Sequence, residues 1–190
     1  MRIVFASANK NKIAEIKSML PENFEILGLE DIGCTEEIPE TADTIEGNAI
    51  LKANYVTQKY GYDCFSDDSG LEVDALAGAP GVYSARYAGE AKDPNANMDK
   101  LLSELDAKTN RGAQFKTVIC LNLNGGQHLF EGIVRGEIIS EKRGDQGFGY
   151  DPIFVPVGKD LTFAQISMQE KAAMSHRAIS FSKLIAFLQK

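Results

Sequence analysis

A short apolar strand followed by two adjacent acids constrains this fold most. The strand closes at Cys64-Phe65, and Asp67, Asp68 and then Ser69-Gly70 follow. A strand that stops on acids and turns on glycine is typical of an α/β sheet whose edge directs side chains into a crevice. Because side chains alternate along a strand, Asp67 and Asp68 are expected to point to different sides. One carboxylate can then lead into a given pocket, and local hydrogen bonds are expected to hold the other.

The alternative is that the Asp-Ser-Gly residues form an ordinary turn with no catalytic or binding role. Two segments that follow favour a functional site. Residues 78–81 read Gly-Ala-Pro-Gly, which predicts a turn rich in exposed backbone, and residues 84–87 read Ser-Ala-Arg-Tyr. The stretch from residue 64 to residue 89 is therefore where we expect the chain to build its site.

The composition is that of a globular enzyme and excludes several other classes. The chain has 190 residues, 44% of them hydrophobic and 25% charged, which predicts one domain or a compact pair of lobes. No apolar run is long enough to span a membrane, and Met1-Arg2 leads into a strand rather than a signal peptide. The net charge of -7 argues against binding to nucleic-acid backbones. An anionic ligand would therefore need locally concentrated cations or a metal.

The cysteines indicate a reducing compartment. Cys34, Cys64 and Cys120 are odd in number, widely spaced and without a CxxC pair. A disulfide framework and a zinc site are therefore not expected, and the cytoplasm is the expected location.

The N-terminal segment predicts a strand, a polar turn and a helix. Residues 3–6 are apolar, residues 7–12 read Ser-Ala-Asn-Lys-Asn-Lys, and apolar residues then recur at helical spacing over residues 13–20. Such a turn offers unpaired backbone N–H groups and the positive end of a helix to a phosphate. The alternative is that Ser7 or Asn9 only caps the helix while the lysines are solvated.

An acidic connection over residues 30–43 leads into a second predicted helix. Most of its charges are expected to form a solvated face. Asp43 and Glu46 are expected to cap the helix. Asn48 and Lys52, four residues apart, share one of its faces and could meet either solvent or a phosphate.

The second half of the chain predicts a hairpin and an aromatic loop. Two long strands flank an Asn-Gly-Gly turn at residues 124–126, so we expect a long mixed sheet with helices at both ends. Phe148 and Tyr150 lie among glycines, and a ring on such a loop suits stacking on a nucleobase. The alternative is that both rings fold back into the core.

Two helix starts near the C-terminus carry cations. Ser167 is expected to open a short helix that contains Lys171, and Ser175 is expected to cap the last helix. His176 and Arg177 then fall in its first turn, where cations oppose the helix dipole. This placement favours an anion or a hydrogen-bond acceptor nearby, although a first-turn arginine can also simply reach water.

Five motifs in order carry a resemblance to a known family over nearly the whole chain. The chain resembles the inosine triphosphate pyrophosphatases of the Ham1/RdgB type. The motifs are Ser7–Lys12, Glu40 with Asn48-Ala49 and Lys52, Asp67–Gly70 with Ala85–Tyr87, Phe148–Pro152, and Ser175–Arg177. Ser7 stands where the family often has threonine, and Ala8 where a glycine commonly precedes the asparagine, which affects how closely the turn approaches phosphate. Ile45–Gly47 also replaces a more usual Phe-x-Glu.

The resemblance implies a fold, a reaction and a set of site residues. The fold is α/β, a long mixed sheet with flanking helices forming two lobes around a central cleft, within one domain over residues 1–190. The reaction is hydrolysis of non-standard purine nucleoside triphosphates (ITP, dITP, XTP) to the monophosphate and pyrophosphate. Asp68 would be the proton acceptor, and Glu40 and Asp68 would bind Mg²⁺. The implied substrate-binding residues are Ser7, Ala8, Asn9, Lys10, Asn11, Lys12, Lys52, Ser69, Phe148, Gly149, Tyr150, Asp151, Lys171, His176 and Arg177.

Base selection and assembly are also implied by the resemblance. Phe148 would stack on the purine, and donors such as Arg177 would favour the six-oxo group of hypoxanthine and xanthine over the amino group of adenine. The family is typically homodimeric. Two alternatives are a Maf-type pyrophosphatase, acting on modified pyrimidine or methylated nucleotides, and a non-catalytic nucleotide-binding module. The motifs Phe148–Asp151 and Ser175–Arg177 favour the Ham1/RdgB family over Maf-type enzymes. Asp68, Glu40 and the two phosphate lysines favour an enzyme over a module that only binds, because binding alone does not need a base.

Overall fold

The strands of this protein form a mixed β-sheet. The computed structural model describes residues 1–8, 12–13, 16–17, 20 and 22–190. Within these residues six strands form one sheet in the order β2-β1-β3-β4-β5-β6. β1 pairs in parallel with β2 and with β3, whereas β5 and β6 are antiparallel. The strands are β1 (Arg2–Phe5), β2 (Glu25–Leu27), β3 (Cys64–Val73), β4 (Gly112–Leu123), β5 (Gly126–Ile138) and β6 (Phe154–Pro156).

Four α-helices whose residues are all described accompany the sheet. They are α1 (Ile45–Tyr60), α2 (Pro94–Leu105), α3 (Met168–Met174) and α4 (His176–Leu188). Short 3-10 helices cover Glu30–Ile32, Asp74–Leu76, Gly81–Arg86 and Asp151–Ile153. The helix predicted over residues 13–20 includes four residues (14, 15, 18 and 19) that lie outside the described part. No helix among the described residues has both the length and the apolar character to cross a membrane.

The strand that carries the two acids is longer than the sequence predicts. We expected it to close at Cys64-Phe65 and the chain to turn at Ser69-Gly70, but β3 begins at Cys64 and continues to Val73. Leu71 and Val73 are fully buried, and this apolar alternation beyond the glycine extends the strand. Asp67 and Asp68 therefore lie within a strand, which holds their backbone more firmly than a turn would.

The chain divides into two compact units. The first unit contains Met1–Asp68, Val118–Glu131 and Ser180–Lys190, and the second contains Ser69–Thr117 and Gly132–Ile179. Each unit has its own apolar core. In the first, the rings of Phe5 and Phe65 stack with centroids 4.7 Å apart, and Phe181 meets both edge-on. In the second, Phe115 packs against Phe154 and Phe163 beside Leu71 and Leu101.

Local polar bonds fix where the elements begin and end. Thr44, rather than the predicted pair Asp43 and Glu46, caps α1, and its Oγ1 accepts from the Gly47 N–H at 3.0 Å. The backbone therefore starts the helix one residue later than the acids suggested. The predicted cap of Ser167 is confirmed by its bond from the Glu170 N–H. Ser175 accepts from the Ala178 N–H at 3.1 Å, which confirms the second predicted cap.

The β4–β5 hairpin has the predicted turn. Asn124 and Gly125 both have positive φ, at 50° and 78°. Two successive residues in this region match the right-handed twist of a two-stranded ribbon, and Asn-Gly is the pair that adopts it most readily. The hairpin prediction is therefore confirmed; β4 begins at Gly112 and runs to Leu123, and β5 begins at Gly126, within the predicted turn.

Candidate active site

The two adjacent acids of β3 have different environments. Asp67 is buried, with 2% of its surface exposed, whereas Asp68 is half-buried. This difference agrees with the alternation expected along a strand. Asp67 Oδ2 accepts a hydrogen bond from Lys12 Nζ at 2.7 Å, across 55 residues of sequence. A long-range ion pair therefore holds this carboxylate, where we expected local hydrogen bonds.

Lys52 connects three segments of the first unit. Its Nζ donates to Glu40 Oε1 at 2.5 Å and to the backbone oxygen of Asp67 at 2.7 Å. The side chain is only 13% exposed. α1 thus brings its lysine to both the acidic connection and β3.

Asn48 fixes the acidic connection onto α1. It is 2% exposed, and its Oδ1 accepts from the Ala42 N–H at 2.9 Å. The sequence left Asn48 to face either solvent or a phosphate; the structure instead buries it as a support for the segment that carries Glu40. Its neighbour on the same helix face, Lys52, is the one that reaches the acids.

The charges around Lys52 keep it protonated. Burial by itself lowers the pKa of this lysine, but the carboxylates of Asp67, Asp68 and Glu40 outweigh burial and raise the pKa above its ordinary value. Lys52 is therefore a fixed cation at neutral pH, in a chain whose net charge is -7. Together with Lys12, it supplies the local positive charge that an anionic ligand needs.

The same group of side chains suits a hard divalent cation. Glu40 has a side chain that is 40% exposed, and Asp68 is half-buried, so both carboxylates keep oxygen atoms near solvent. Mg²⁺ commonly binds through one or two protein acids and completes its shell with water and phosphate oxygens. No group of three or more His, Cys, Asp or Glu side chains among the described residues has the arrangement of a metal site. Two acids nevertheless lie within the one or two carboxylates that a phosphate-bound Mg²⁺ commonly uses.

The predicted phosphate turn is described only in part. Ser7 follows β1, and its N–H donates to the Phe5 carbonyl at 2.8 Å. Ala8 is exposed. Asn9, Lys10 and Asn11 lie outside the described residues. The side chain of Lys12 is described and is 23% exposed, in its ion pair with Asp67.

The second unit contains a cavity of about 300 Å³. This volume is at the lower end of the range for small-molecule sites, which suits a single base better than a whole nucleotide. Eight of the predicted site residues line it: Ser69, Phe148, Gly149, Tyr150, Asp151, Lys171, His176 and Arg177. Ser69, predicted to bind phosphate, lies beside Thr117, with their hydroxyl oxygens 2.7 Å apart.

A tight turn presents Phe148 to the cavity. The ring is 63% exposed, while Asp151 behind it is buried and accepts from the Phe148 N–H at 2.9 Å. Gly147 has a φ of +74°, and a Cβ there would lie 2.1 Å from Asp151 Oδ2. Only glycine fits at this position. The backbone of the turn thus holds the ring in an exposed position, and the alternative that both aromatic rings fold back into the core is wrong for Phe148.

Tyr150 has a different position from Phe148. It is 4% exposed, and its hydroxyl donates to the Ser84 carbonyl oxygen at 2.7 Å. Burial raises its pKa above the ordinary tyrosine value. The alternative of a core position is therefore correct for Tyr150. Its ring lines the cavity, and its hydroxyl connects the loop to the segment of residues 84–87.

The cations predicted near the base are held by aromatic rings and by one acid. Lys171 is buried and forms an ion pair with Asp151. Its Nζ lies 4.6 Å from the centroid of the Phe148 ring. His176 stacks on Phe115 with centroids 5.0 Å apart and an interplanar angle of 12°. These contacts fix the orientation of groups that would meet a ligand.

The other eight cavity residues were not among the predicted site residues: Gly70, Leu71, Ser84, Ala85, Lys92, Pro94, Asn97 and Phe115. Asn97 is 4% exposed, and its amide bonds the Ala88 N–H and the Ala85 carbonyl. Asn97 could have been found from the sequence, because it is a polar residue next to the buried apolar residues Met98 and Leu101 of α2. Phe115 resembled an ordinary strand residue, and nothing in the sequence separated it from the core.

Comparison with known proteins identifies the family. The model of the Ham1 family matches residues 3–187. A protein of Flavobacterium psychrophilum named dITP/XTP pyrophosphatase is 69% identical over 189 residues, with both chains covered completely. The solved Ham1 protein of Staphylococcus aureus is 43% identical, with a TM-score of 0.95 over 100% of this chain and 98% of that one.

A second solved structure is similarly close. The nucleoside-triphosphatase / dITP/XTP pyrophosphatase of Mycobacterium abscessus is 41% identical, with a TM-score of 0.87 over 97% of this chain and 99% of that one. The α/β fold with a mixed sheet is confirmed by these likenesses, and so is the resemblance seen in the sequence motifs. The chain belongs to the Ham1 family.

Proposed function

We propose that this chain hydrolyses the non-standard purine nucleoside triphosphates ITP, dITP and XTP to the monophosphate and pyrophosphate. The observation that carries the proposal is Lys52, a largely enclosed cation in direct contact with Glu40 and with the backbone of Asp67. A cluster of fixed cations and acids is what binding and cleaving a metal-bound polyphosphate requires. Relatives named dITP/XTP pyrophosphatase support the choice of substrate.

The first unit would bind the triphosphate. Lys12 and Lys52 would act as point charges on phosphate oxygens, and further contacts are proposed from Ser7, Ala8, Asn9, Lys10 and Asn11, the segment that the sequence predicts as a phosphate turn. Glu40 and Asp68 would hold Mg²⁺, which would neutralise phosphate charge. Each lysine is already fixed by an acid, so little side-chain freedom remains to be lost when the substrate binds.

Asp68 would be the general base. Water attacks the α-phosphorus, a new phosphorus–oxygen bond forms, and the bond to the pyrophosphate leaving group breaks. The water proton passes to an oxygen of Asp68, which its half-buried position leaves accessible. Asp67 cannot serve equally well, because it is buried in its ion pair with Lys12.

The second unit would bind the base. Phe148 offers an exposed ring for stacking, with Gly149 and Tyr150 completing the turn. Lys171, His176 and Arg177 line the cavity and would donate hydrogen bonds to the six-oxo group. Asp151 keeps the turn and Lys171 in place. Adenine, which presents an amino donor at that position, would leave buried donors unmatched.

We also propose that both units act as one enzyme domain, as a homodimer in the cytoplasm. The dimer rests on family membership alone. The cytoplasm is supported by Cys34, Cys64 and Cys120, which are buried free thiols. Burial raises the pKa of Cys120 to about 11, so this thiol is unreactive at neutral pH.

The position of attack distinguishes this reaction from a simple phosphatase. ITP would be hydrolysed in water enriched in a heavy oxygen isotope, and the products would be examined by mass spectrometry. Label in the inosine monophosphate, with unlabelled pyrophosphate, is the expected result. Label in pyrophosphate, or release of inosine diphosphate and phosphate, would contradict attack at the α-phosphorus.

A further inference from the structure

Two hydroxyl groups meet on neighbouring strands of the sheet, beside the cavity of the second unit. Ser69 belongs to β3 and Thr117 to β4, and their hydroxyl oxygens are 2.7 Å apart. Ser69 is half-buried and lines the cavity, whereas Thr117 is fully buried and is not one of the lining residues. A ligand in the cavity can therefore reach Ser69 but not Thr117.

The strand geometry places Thr117 on the face of the sheet that borders the cavity. Phe115, two residues earlier in β4, lines the cavity. Side chains two residues apart on a strand lie on the same face of the sheet. Thr117 therefore supports Ser69 from the buried side.

The number of hydroxyl hydrogens indicates which residue donates. Each hydroxyl has one hydrogen, and only one of the two can lie between the oxygens. In the part of the chain that the structure describes, neither hydroxyl forms a second hydrogen bond. If Ser69 donated to Thr117, the Thr117 hydrogen would be buried without an acceptor, which is unfavourable. If Thr117 donates instead, the remaining hydrogen is that of Ser69, at the edge of the cavity.

We propose that Thr117 is a positioning residue, which donates to Ser69 Oγ and so directs the Ser69 hydrogen to a phosphate oxygen of the nucleotide. An anionic oxygen is the acceptor that gives a hydroxyl its strongest hydrogen bond. Ser69 also directly follows Asp68, the proposed base, within one continuous strand. The inference rests on the proposed function and adds a residue that does not itself touch the substrate.

The direction of this hydrogen bond has a measurable consequence. Thr117→Val replaces the hydroxyl with a methyl group of similar size. If Thr117 is the donor, this variant loses the group that orients Ser69, and ITP binding should weaken about threefold, the size of a neutral hydrogen bond. If Ser69 were the donor, the same variant would release the Ser69 hydrogen to the ligand, and ITP binding would strengthen or stay the same.

A double-mutant cycle tests whether Thr117 acts through Ser69. The dissociation constants of ITP and of inorganic tripolyphosphate would be measured by calorimetry in EDTA for wild type, both single variants and the double variant. Ser69→Ala should weaken both ligands about tenfold, because it removes a hydrogen bond to an anionic oxygen. Thr117→Val should weaken both ligands when Ser69 is present and should have no further effect in Ser69→Ala.

Further variants separate positioning from a general effect on the fold. Thr117→Ser keeps a hydroxyl at the same position and should bind ITP nearly as tightly as wild type. Thr57→Val is the control, because the Thr57 hydroxyl accepts from Asn122 Nδ2 at 3.2 Å but does not line the cavity. It should change neither affinity. Urea unfolding would show that each variant is folded, and Thr117→Ala, which also lacks the hydroxyl, would replace Thr117→Val if that variant did not fold.

Several results would overturn the inference. One is unchanged or tighter ITP binding by Thr117→Val, and another is an equal loss with and without the Ser69 hydroxyl. A loss of ITP affinity without a loss of tripolyphosphate affinity would place the acceptor on the nucleoside rather than on a phosphate.

Hydrolysis of ITP with Mg²⁺, measured on the same samples, tests the proposed function separately. If ITP were not hydrolysed while the affinities followed the expected cycle, the proposed function would fall and the role of Thr117 in binding would stand.

Discussion

Lys52 Nζ lies 2.5 Å from Glu40 Oε1, and this contact joins the middle of α1 to the acidic connection that precedes it. The same nitrogen donates to the Asp67 backbone, one residue before Asp68. Lys52 thus holds one candidate metal-binding acid, Glu40, through its side chain, and holds the backbone next to the other, Asp68. Because β3 continues through Asp68 as a strand, that acid has little freedom to move away from the position the lysine defines.

Removing the proposed base should separate catalysis from binding. Asp68→Asn keeps the size of the side chain but loses its ability to accept a proton. We expect kcat for ITP to fall at least ~100-fold, the usual contribution of a general base, while the dissociation constant in EDTA changes little. Asp160→Asn, at an exposed site far along the chain, is the control for loss of one negative charge. Wild-type turnover by Asp68→Asn would end its assignment as base.

The exposed ring of Phe148 should contribute to substrate affinity. Phe148→Ala removes stacking that is similar in the ground state and the transition state, so KM should rise about tenfold with kcat nearly unchanged. Stability should change little, because the ring is 63% exposed. Val157→Ala, which truncates another exposed apolar side chain, should leave KM unaltered. An unchanged KM in Phe148→Ala would remove the ring from the base site.

Two glycines of the same loop allow a matched comparison. Gly147 and Gly149 both have positive φ, but a Cβ on Gly147 would clash with Asp151 whereas one on Gly149 would meet nothing within 4 Å. Gly149→Ala should cost about 1 kcal/mol of unfolding free energy from backbone strain alone. Gly147→Ala should cost more and should also raise KM, because it displaces the carboxylate that holds the Phe148 N–H. Urea unfolding and steady-state kinetics measure both effects. Equal behaviour of the two variants would contradict this role of Asp151.

Glu36 should make stability depend on acid pH. It accepts hydrogen bonds from Lys59, Tyr55 and Tyr60, which lower the pKa of Glu36 below its ordinary 4.5. A lowered folded-state pKa means that the stabilisation is present above the unfolded pKa and is lost as the pH falls through the folded one. Glu36→Gln should therefore unfold at lower urea concentration than wild type near neutral pH.

The difference between Glu36→Gln and wild type should shrink as the pH falls below about 4. The neighbouring exposed Glu37 provides the control, since Glu37→Gln should shift the urea midpoint little at any pH. If the difference in urea midpoint between wild type and Glu36→Gln grew on acidification, the pKa of Glu36 would have to be raised by folding, which contradicts the expected linkage.

The sequence was most informative where local chemistry decides the structure. The Asn124-Gly125 turn, the serine caps of α3 and α4 and the glycine loop before Asp151 all depend on a few neighbouring residues. Because neighbouring residues determine these features, they can be predicted without knowledge of the tertiary structure.

Contacts between distant residues could not be predicted in the same way. The ion pair of Lys12 with Asp67 spans 55 residues, and the stacking of His176 on Phe115 joins a helix start to a strand. Each contact depends on the order of the strands in the sheet, which cannot be derived from the spacing of residues in the sequence. The extension of β3 to Val73 was missed for a related reason, because Ser69-Gly70 is a turn signal that the burial of Leu71 and Val73 overrides.

The most direct test of the account is pyrophosphate release from ITP, dITP, XTP, ATP and GTP, each with Mg²⁺ and with EDTA. We expect metal-dependent release of pyrophosphate from ITP, dITP and XTP, with ATP and GTP near background. Equal turnover of all five would keep the pyrophosphatase and contradict the role of the cavity in base selection. Tight ITP binding without metal-dependent pyrophosphate release would contradict the central claim that the Lys52–Glu40–Asp68 group is a catalytic site.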